Sequence, residues 1–186
     1  LWGAEDDHMQ LPASNISYGS NEYATIKGEL GNDKLSGSKG RDHLIGYEGS
    51  DILRAGGGRD IISGGIGADI LFGGFGLNTF MNEIDGEKDW LYLKSDGYAH
   101  DYIFDDARSN SKNRKCDNIM GLDSFDVIFI QGVSDDDLSF AWTTHQSILG
   151  TFEGIGIWAG ESLEAVYTGG NLSIDQVIDM TSGAPA

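Results

Sequence analysis

Residues Gly28 to Met81, cut every nine residues, read GELGNDKLS, GSKGRDHLI, GYEGSDILR, AGGGRDIIS, GGIGADILF and GGFGLNTFM. Glycine occupies the fourth position of all six units, and the eighth position always holds a large apolar residue. The sixth position holds, in order, Asp33, Asp42, Asp51, Asp60, Asp69 and Asn78. A fixed period with three fixed chemistries indicates a repeat architecture.

Each unit is predicted to be a turn followed by a short strand. Repeated glycine disfavours a helix, because each glycine in a helix interior costs about 1 kcal/mol. Positions one to six therefore form the turn, and positions seven to nine form a strand whose eighth side chain points inward. Two units make one flattened coil, and stacked coils give an all-β parallel roll. Its predicted core is Leu35, Leu44, Leu53, Ile62, Leu71 and Phe80.

The sixth positions would form a column of side chains along each edge of this roll. Asp33, Asp51 and Asp69 would lie on one edge, and Asp42, Asp60 and Asn78 would lie on the other. Stacked strands are about 4.8 Å apart, so the carboxylates of one column repel each other. A hard dication between successive turns relieves this repulsion, and calcium accepts about six to eight oxygen ligands, backbone carbonyls included.

This pattern resembles the RTX, or haemolysin-type, calcium-binding family, whose repeats form a parallel β-roll. The resemblance implies that each carboxylate is shared by two ions and that turn carbonyls complete the shells. Carried over by position, about four to six calcium ions would lie between Asp33 and Asp51, Asp42 and Asp60, Asp51 and Asp69, and Asp60 and Asn78. The implied carbonyl ligands are those of Gly28, Leu30, Gly37, Lys39, Gly46, Glu48, Gly49, Ala55, Gly57, Gly58, Gly64, Gly65, Ile66, Gly67, Gly74 and Gly76.

Several units depart from the family pattern. The second position holds Glu29, Ser38 and Tyr47 instead of glycine, and the first position of the fourth unit holds Ala55. Because these positions would contribute only carbonyls, a side chain is acceptable there if φ stays negative. Asn78 supplies a neutral oxygen, so its site should be weaker.

Residues 1–18 are predicted to be a linker, and residues 19–89 to be the calcium-binding roll with degenerate repeats at its ends. Counting back nine residues from Gly28 places Ile26 at an eighth position and Ala24 at a sixth. After Met81, Asp85 and Asp89 resemble the family segment that closes the roll, which implies that both bind its last ion.

Residues 90–186 are predicted to be a β-rich cap that includes the type I secretion region. The stretches SFAWTT, GIGIWAG and SLEAVYTGG alternate as strands do. A short helix should follow, with Ser173 and Gln176 as a capping box and Ile174, Val177 and Ile178 on its buried face. The final residues, TSGAPA, are expected to be disordered.

Charge and composition limit the functions open to the chain. The formal net charge is −18 and the isoelectric point is near 4.2, which argues against nucleic acid as a partner because phosphate binding needs clustered Lys and Arg. No apolar run is long enough to span a membrane. Cys116 is the single cysteine, so an intrachain disulfide is excluded.

The last 71 residues, from Cys116 onward, hold 11 Asp and Glu but no Lys or Arg. RTX proteins leave the cell through type I exporters that recognise an uncleaved C-terminal signal, often poor in basic residues. The resemblance therefore implies export with the C terminus first and folding outside the cell. Calcium is scarce inside cells and would fold the acidic roll, and stabilise the extracellular protein, only after export.

Two other functions stay open on the sequence alone. A carbohydrate- or cell-surface-binding module could use Trp142, Trp158, Tyr98 and Tyr167 as a sugar platform. The basic segment 108–115 could likewise meet an anionic polysaccharide, or simply balance nearby carboxylates. An enzyme with its site in the cap is the third option, but the chain lacks the HExxH, GxSxG and GxxxxGK[ST] signatures, so no catalytic residue is predicted.

Overall fold

A computed structural model describes residues 6–10, 24–81, 87–94, 102–106, 117–122, 126–131, 133–147, 150–159, 162–168 and 172–184. The strands of the repeat region are β1 (His8–Gln10), β2 (Ala24–Leu30), β3 (Lys34–Ser36), β4 (Asp42–Glu48), β5 (Ile52–Gly58), β6 (Ile61–Ile66), β7 (Ile70–Gly76) and β8 (Thr79–Met81). Those that follow are β9 (Trp90–Leu93), β10 (Tyr102–Asp106), β11 (Asp117–Met120), β12 (Val127–Gln131), β13 (Leu138–Ser147), β14 (Gly150–Ala159), β15 (Ser162–Thr168) and β16 (Thr181–Ala184).

The described strands form two sheets that are parallel except at one end. Sheet A has the order β1-β3-β5-β7-β9-β11-β15-β14-β13, and sheet B has the order β16-β12-β10-β8-β6-β4-β2. Successive strands of the chain alternate between the two sheets through β12, which is the geometry of a parallel β-roll. The antiparallel hairpin β13–β14 and the strand β15 extend sheet A. The predicted all-β roll is confirmed.

The core is a double column of apolar side chains, one from each sheet. In sheet A, Leu35, Leu53, Leu71, Leu91, Ile119 and Tyr167 lie opposite one another across neighbouring strands. In sheet B the same register joins Ile26, Leu44, Ile62, Phe80, Ile103 and Ile128. Each of these side chains is at least nine-tenths buried, so the eighth-position core predicted from the repeats continues beyond them.

The roll extends past both ends of the nine-residue repeats. Within the predicted linker, β1 pairs in parallel with β3 and adds a strand to sheet A. Across residue 90, where the cap is predicted to begin, β9 continues sheet A by pairing with β7. The domain boundaries themselves stay predictions.

The C-terminal helix α1 (Ile174–Met180) begins at Ser173 with the predicted capping box, in which Gln176 N–H donates to the Ser173 side chain. Val177 and Met180 are its buried residues, whereas Ile178 is exposed, so Ile178 was placed on the wrong face. The prediction of disorder after the helix is also wrong for residues 181–184, since β16 pairs with β12. In the part of the chain described, no helix is long and apolar enough to cross a membrane.

The second position of the repeat has a backbone conformation that the sequence did not predict. Glu29 and Tyr47 both have φ of 80°, so the expected negative φ is wrong at these residues. The left-handed region is strained for residues with a Cβ by roughly 1–2 kcal/mol. Gly56, Gly65 and Gly74, at the second position of the last three units, also have positive φ, whereas Ser38 does not. Glycine in place of Glu29 or Tyr47 would relieve the strain.

Glu29→Gly is therefore expected to raise the free energy of unfolding by about 1 kcal/mol. Glu48→Gly is the matched control, because it makes the same chemical change at an exposed residue without a left-handed φ. That variant should lower the free energy of unfolding by about 0.5–1 kcal/mol through the entropy of the unfolded chain. Urea unfolding at saturating calcium measures both, and equal effects of the same sign would contradict the strain at Glu29.

Candidate metal centre

The structure gathers aspartates at the two edges of the roll where the chain enters each strand. We call edge A the column of side chains that precede or begin strands of sheet A, and edge B the equivalent column for sheet B. Edge A comprises Asp7, Asp33, Asp51, Asp69, Asp89 and Asp117. Edge B comprises Asp42, Asp60, Asn78 and Asp126. All of these except Asp7 are at most 5% exposed.

A chain of hydrogen bonds links the aspartates of edge A. The N–H of each aspartate donates to Oδ1 of the next one toward the C terminus. The pairs are Asp7 to Asp33 (2.6 Å), Asp33 to Asp51 (2.7 Å), Asp51 to Asp69 (2.7 Å), Asp69 to Asp89 (2.8 Å) and Asp89 to Asp117 (2.8 Å). On edge B, Asp42 N–H donates to Asp60 Oδ1 in the same way, at 2.9 Å. One oxygen of each acceptor carboxylate is thus fixed by the backbone.

The second oxygen of several repeat carboxylates has no partner. Oδ2 of Asp33, Asp51 and Asp60, and Oδ1 of Asp42, are buried and accept no hydrogen bond. A buried carboxylate oxygen without a donor is costly, and native structures resolve such groups with a partner or an ion. Each of these oxygens therefore needs a proton or a cation as its partner.

The glycines at the first position of the repeat leave the space that such a cation needs. A Cβ on Gly28 would contact Asp33 Oδ2 and lie 2.7 Å from the Gly46 carbonyl oxygen, and a Cβ on Gly46 would contact Asp51 Oδ2 and the Gly64 carbonyl. A carboxylate oxygen and a backbone carbonyl oxygen thus converge beside each of these glycines. This hard-oxygen set is the type that calcium prefers. Among the described residues, no three His, Cys, Asp or Glu side chains cluster as a metal site by themselves.

Burial makes these carboxylates poor anions when no cation is bound. It raises the pKa of Asp51 to about 6 and that of Asp60 to about 7, from an ordinary value of 3.8. The N–H groups of Asp33 and Asp42 lower those two pKa values by donating to the carboxylates, but burial has the larger effect. Burial also raises the pKa of Asp33 and Asp42 themselves. A proton or a metal ion is needed to neutralise such groups.

Of the two aspartates predicted to close the roll, Asp89 lies in edge A directly after Asp69, whereas Asp85 is outside the described residues. Asp7, Asp117 and Asp126 were not predicted, because 26 and 28 residues separate the first two from their neighbours in the column, instead of 18. A local signal was present, since each of these aspartates is followed two residues later by an apolar side chain: Met9, Ile119 and Ile128.

The predicted sugar platform is not assembled as expected. Tyr167 is only 3% exposed, because it belongs to the core column, whereas Trp142 is 66% exposed. Tyr98 is outside the described residues, as is the basic segment 108–115. Among the described residues, Phe72 and Tyr92 stack face to face with ring centroids 4.7 Å apart, and Arg54 covers the ring of Phe72. Each of the two rings thus covers one face of the other, and that face is closed to a sugar.

The repeat region matches a family model described as the RTX calcium-binding nonapeptide repeat (4 copies), over residues 21–53 and 45–80. No curated protein matches the chain significantly. Residues 21–80 therefore carry RTX calcium-binding repeats, as the sequence predicted. RTX nonapeptide repeats bind calcium, and the buried carboxylate oxygens and open first positions of this roll are suited to that ion.

Proposed function

We propose that this chain is a calcium-dependent folding module that becomes structured outside the cell, supports type I export and stabilises the extracellular protein to which it belongs. The observation that carries the proposal is the set of buried repeat carboxylates whose second oxygen has no partner. In the metal-free chain these groups oppose folding, and calcium bound between successive turns offsets this cost. Binding free energy then becomes folding free energy.

The charge of the chain supports the same proposal. A net charge of −18 on 186 residues expands the unfolded chain by self-repulsion. Bound calcium would neutralise part of this charge at the edges of the roll, where the described aspartates are concentrated. The chain would therefore stay unfolded where calcium is scarce and fold where it is abundant.

Export is the second part of the proposal. It rests on the family membership of the repeats and on the absence of Lys and Arg from the last 71 residues. The test is secretion into the medium by a host with and without a type I exporter. Equal amounts in both media would contradict export by this route while leaving calcium-dependent folding intact.

A circular dichroism titration with calcium tests the folding function. Starting in chelator, we expect a cooperative gain of β-signal as free calcium rises into the submillimolar to millimolar range. Magnesium should not reproduce it, because it is smaller and keeps much of its water shell. Asp51→Ala combined with Asp60→Ala should abolish the response. A protein already folded in chelator and indifferent to calcium would contradict the proposal.

The alternative function, a carbohydrate- or surface-binding module, has weaker support. The exposed Trp142 is compatible with it, but Tyr167 is buried and the stacked rings of Phe72 and Tyr92 cover each other. The chain's own catalytic activity is not part of our proposal, since its charged groups are arranged as repeated metal ligands along an edge.

A further inference from the structure

The six repeats alternate between the two edges. The departures from the family pattern on edge A, Glu29 and Tyr47, lie at the second position. Those on edge B lie at the second, first and sixth positions. The first, third and fifth units serve edge A, and each combines a first-position glycine with a sixth-position aspartate. The second, fourth and sixth units serve edge B, and each carries one change near the expected ion. The changes are Ser38, Ala55 and Asn78.

On edge A the cradle has the same form in all three units. The carboxylate Oδ2 of Asp33, Asp51 or Asp69 faces the first-position glycine of its own unit. In the first two cases the carbonyl of the next first-position glycine, Gly46 or Gly64, faces the same space. Edge A thus presents converging oxygens beside glycines that leave room for an ion. On edge B, Gly37 faces an equivalent pair, Asp42 Oδ2 and the Ala55 carbonyl, so the difference there lies in the contacts of Ser38.

In the second unit, Ser38 occupies the oxygen of Asp42 that faces the first position, and Asp42 Oδ1 is the oxygen that accepts no hydrogen bond. Its N–H donates to Asp42 Oδ2 at 2.6 Å, and its Oγ hydroxyl donates to the same oxygen at 3.0 Å. Asp42 Oδ2 is the atom that faces Gly37, the first position of that unit. A calcium ion beside Gly37 would have to displace the two hydrogen bonds to Asp42 Oδ2 or bind Asp42 through Oδ1 alone.

In the fourth unit, Ala55 places a methyl group at the first position. A Cβ at the equivalent glycines of the other units, Gly37 and Gly46 among them, would meet the carboxylate and a carbonyl oxygen of the cradle. Ala55 carries that carbon and is fully buried. In the fourth unit, the space that the first-position glycines leave open on edge A is therefore partly filled by a methyl carbon.

In the sixth unit, the cradle holds an amide and a ring instead of oxygens. The atoms nearest to a Cβ on Gly73 are Phe80 Cζ, at 2.8 Å, and Asn78 Nδ2, at 2.9 Å. Asn78 Nδ2 donates to the Gly76 carbonyl at 3.3 Å. With its amide nitrogen turned inward, Asn78 presents a donor where a cation needs an acceptor.

We propose that calcium loads this roll on one side: ions lie along edge A, between Asp33 and Asp51 and between Asp51 and Asp69, while Ser38, Ala55 and Asn78 close edge B. This inference rests on the proposed calcium function and narrows it. It departs from the positions carried over from the family, which include ions between Asp42 and Asp60 and between Asp60 and Asn78. The turns of edge B would then form without bound calcium.

Replacing one aspartate on each edge tests the proposal. Asp51→Asn and Asp60→Asn are matched, because both residues are buried, hold the sixth position and accept a backbone N–H through Oδ1. Bound calcium is counted by native mass spectrometry and the folding midpoint by circular dichroism. Asp51→Asn should lose both ions that it borders and need at least about tenfold more calcium to fold, whereas Asp60→Asn should keep the wild-type count.

Equal loss of ions in the two variants would contradict one-sided loading but not the proposed function. A wild-type protein that binds no calcium would contradict both. If Asp51→Asn does not fold at any calcium concentration, Asp33→Asn, which borders one ion fewer, replaces it. The converse variant, Ser38→Gly combined with Ala55→Gly, reopens edge B. It should bind more calcium than the wild type, and an unchanged count would contradict the role assigned to these two side chains.

Discussion

Gly46→Ala is expected to raise the calcium concentration at the folding midpoint by about tenfold or more, which corresponds to roughly 1.4 kcal/mol of lost binding free energy. The new Cβ would meet Asp51 Oδ2 and the Gly64 carbonyl, the two oxygens that converge beside this glycine. Gly46 has no left-handed φ, so alanine adopts its backbone conformation without strain. The effect therefore comes from the space that the Cβ takes, which moves Asp51 Oδ2 and the Gly64 carbonyl out of the positions where they converge.

Gly57→Ala is the matched control, since it makes the same change in a turn where nothing obstructs it. The nearest atoms to a Cβ on Gly57 are the carbonyl oxygen and Cβ of Phe75, at 3.8 and 3.9 Å. This variant should keep the calcium midpoint of the wild type and gain about 0.4–1 kcal/mol of stability from lower unfolded-state entropy. Circular dichroism titrations compare the two, and a shared midpoint would rule out an ion beside Gly46.

In chelator, acidification from about pH 8 to pH 5 is expected to increase the β-structure of the protein. Burial raises the pKa of Asp51 to about 6 and that of Asp60 to about 7, above the ordinary value of 3.8 that applies to the unfolded chain. Between these values the folded form binds protons that the unfolded form does not. Unfolding free energy therefore rises as pH falls through 7 and 6, and the gain is complete below about pH 4.

With calcium present the pH dependence should reverse, because protons compete with the ion for the same oxygens. Asp60→Asn removes the buried charge and should increase β-structure in chelator already at pH 7. Asp136→Asn removes the same charge from an exposed position and should change little. Far-ultraviolet circular dichroism against pH provides the measurement. A chelated protein that loses β-structure on acidification would contradict the effect of these buried carboxylates.

The repeat made the centre of the fold predictable. An apolar residue at every eighth position can only be buried if the turns stack in register, so Leu35, Leu53 and Leu71 were predicted to be core residues from the sequence alone. The aspartates of the repeats follow by the same reasoning, since they share the period of the core. Neither inference needs knowledge of the rest of the chain.

The extensions of the roll were hidden because insertions break the period. Asp89 follows Asp69 by 20 residues, and Asp117 follows Asp89 by 28. Strand pairing depends on which residues meet in space, so the roll tolerates longer connections that a fixed-period search cannot follow. β16 was missed for a related reason, because its short polar sequence TSGA has weak strand propensity and is held by pairing with β12.

The backbone of the second repeat position could not be predicted from residue type. Glutamate and tyrosine rarely adopt a left-handed φ, yet Glu29 and Tyr47 have it. The inequality of the two edges was likewise hidden. Ser38 looks like a tolerable substitution in the sequence, and only the structure places its N–H and hydroxyl on Asp42.

The hydrogen bonds between the aspartates of edge A all point in one direction, from each N–H toward the carboxylate on the C-terminal side. The two ends of this ladder therefore differ: within it Asp7 is a donor and Asp117 is an acceptor. Growth from either end forms the same bonds, but the arriving group differs: from the C terminus each new turn brings an N–H to a carboxylate already in place, and from the N terminus it brings the carboxylate. Export with the C terminus first, as proposed here, would therefore add donors to waiting acceptors, one turn at a time.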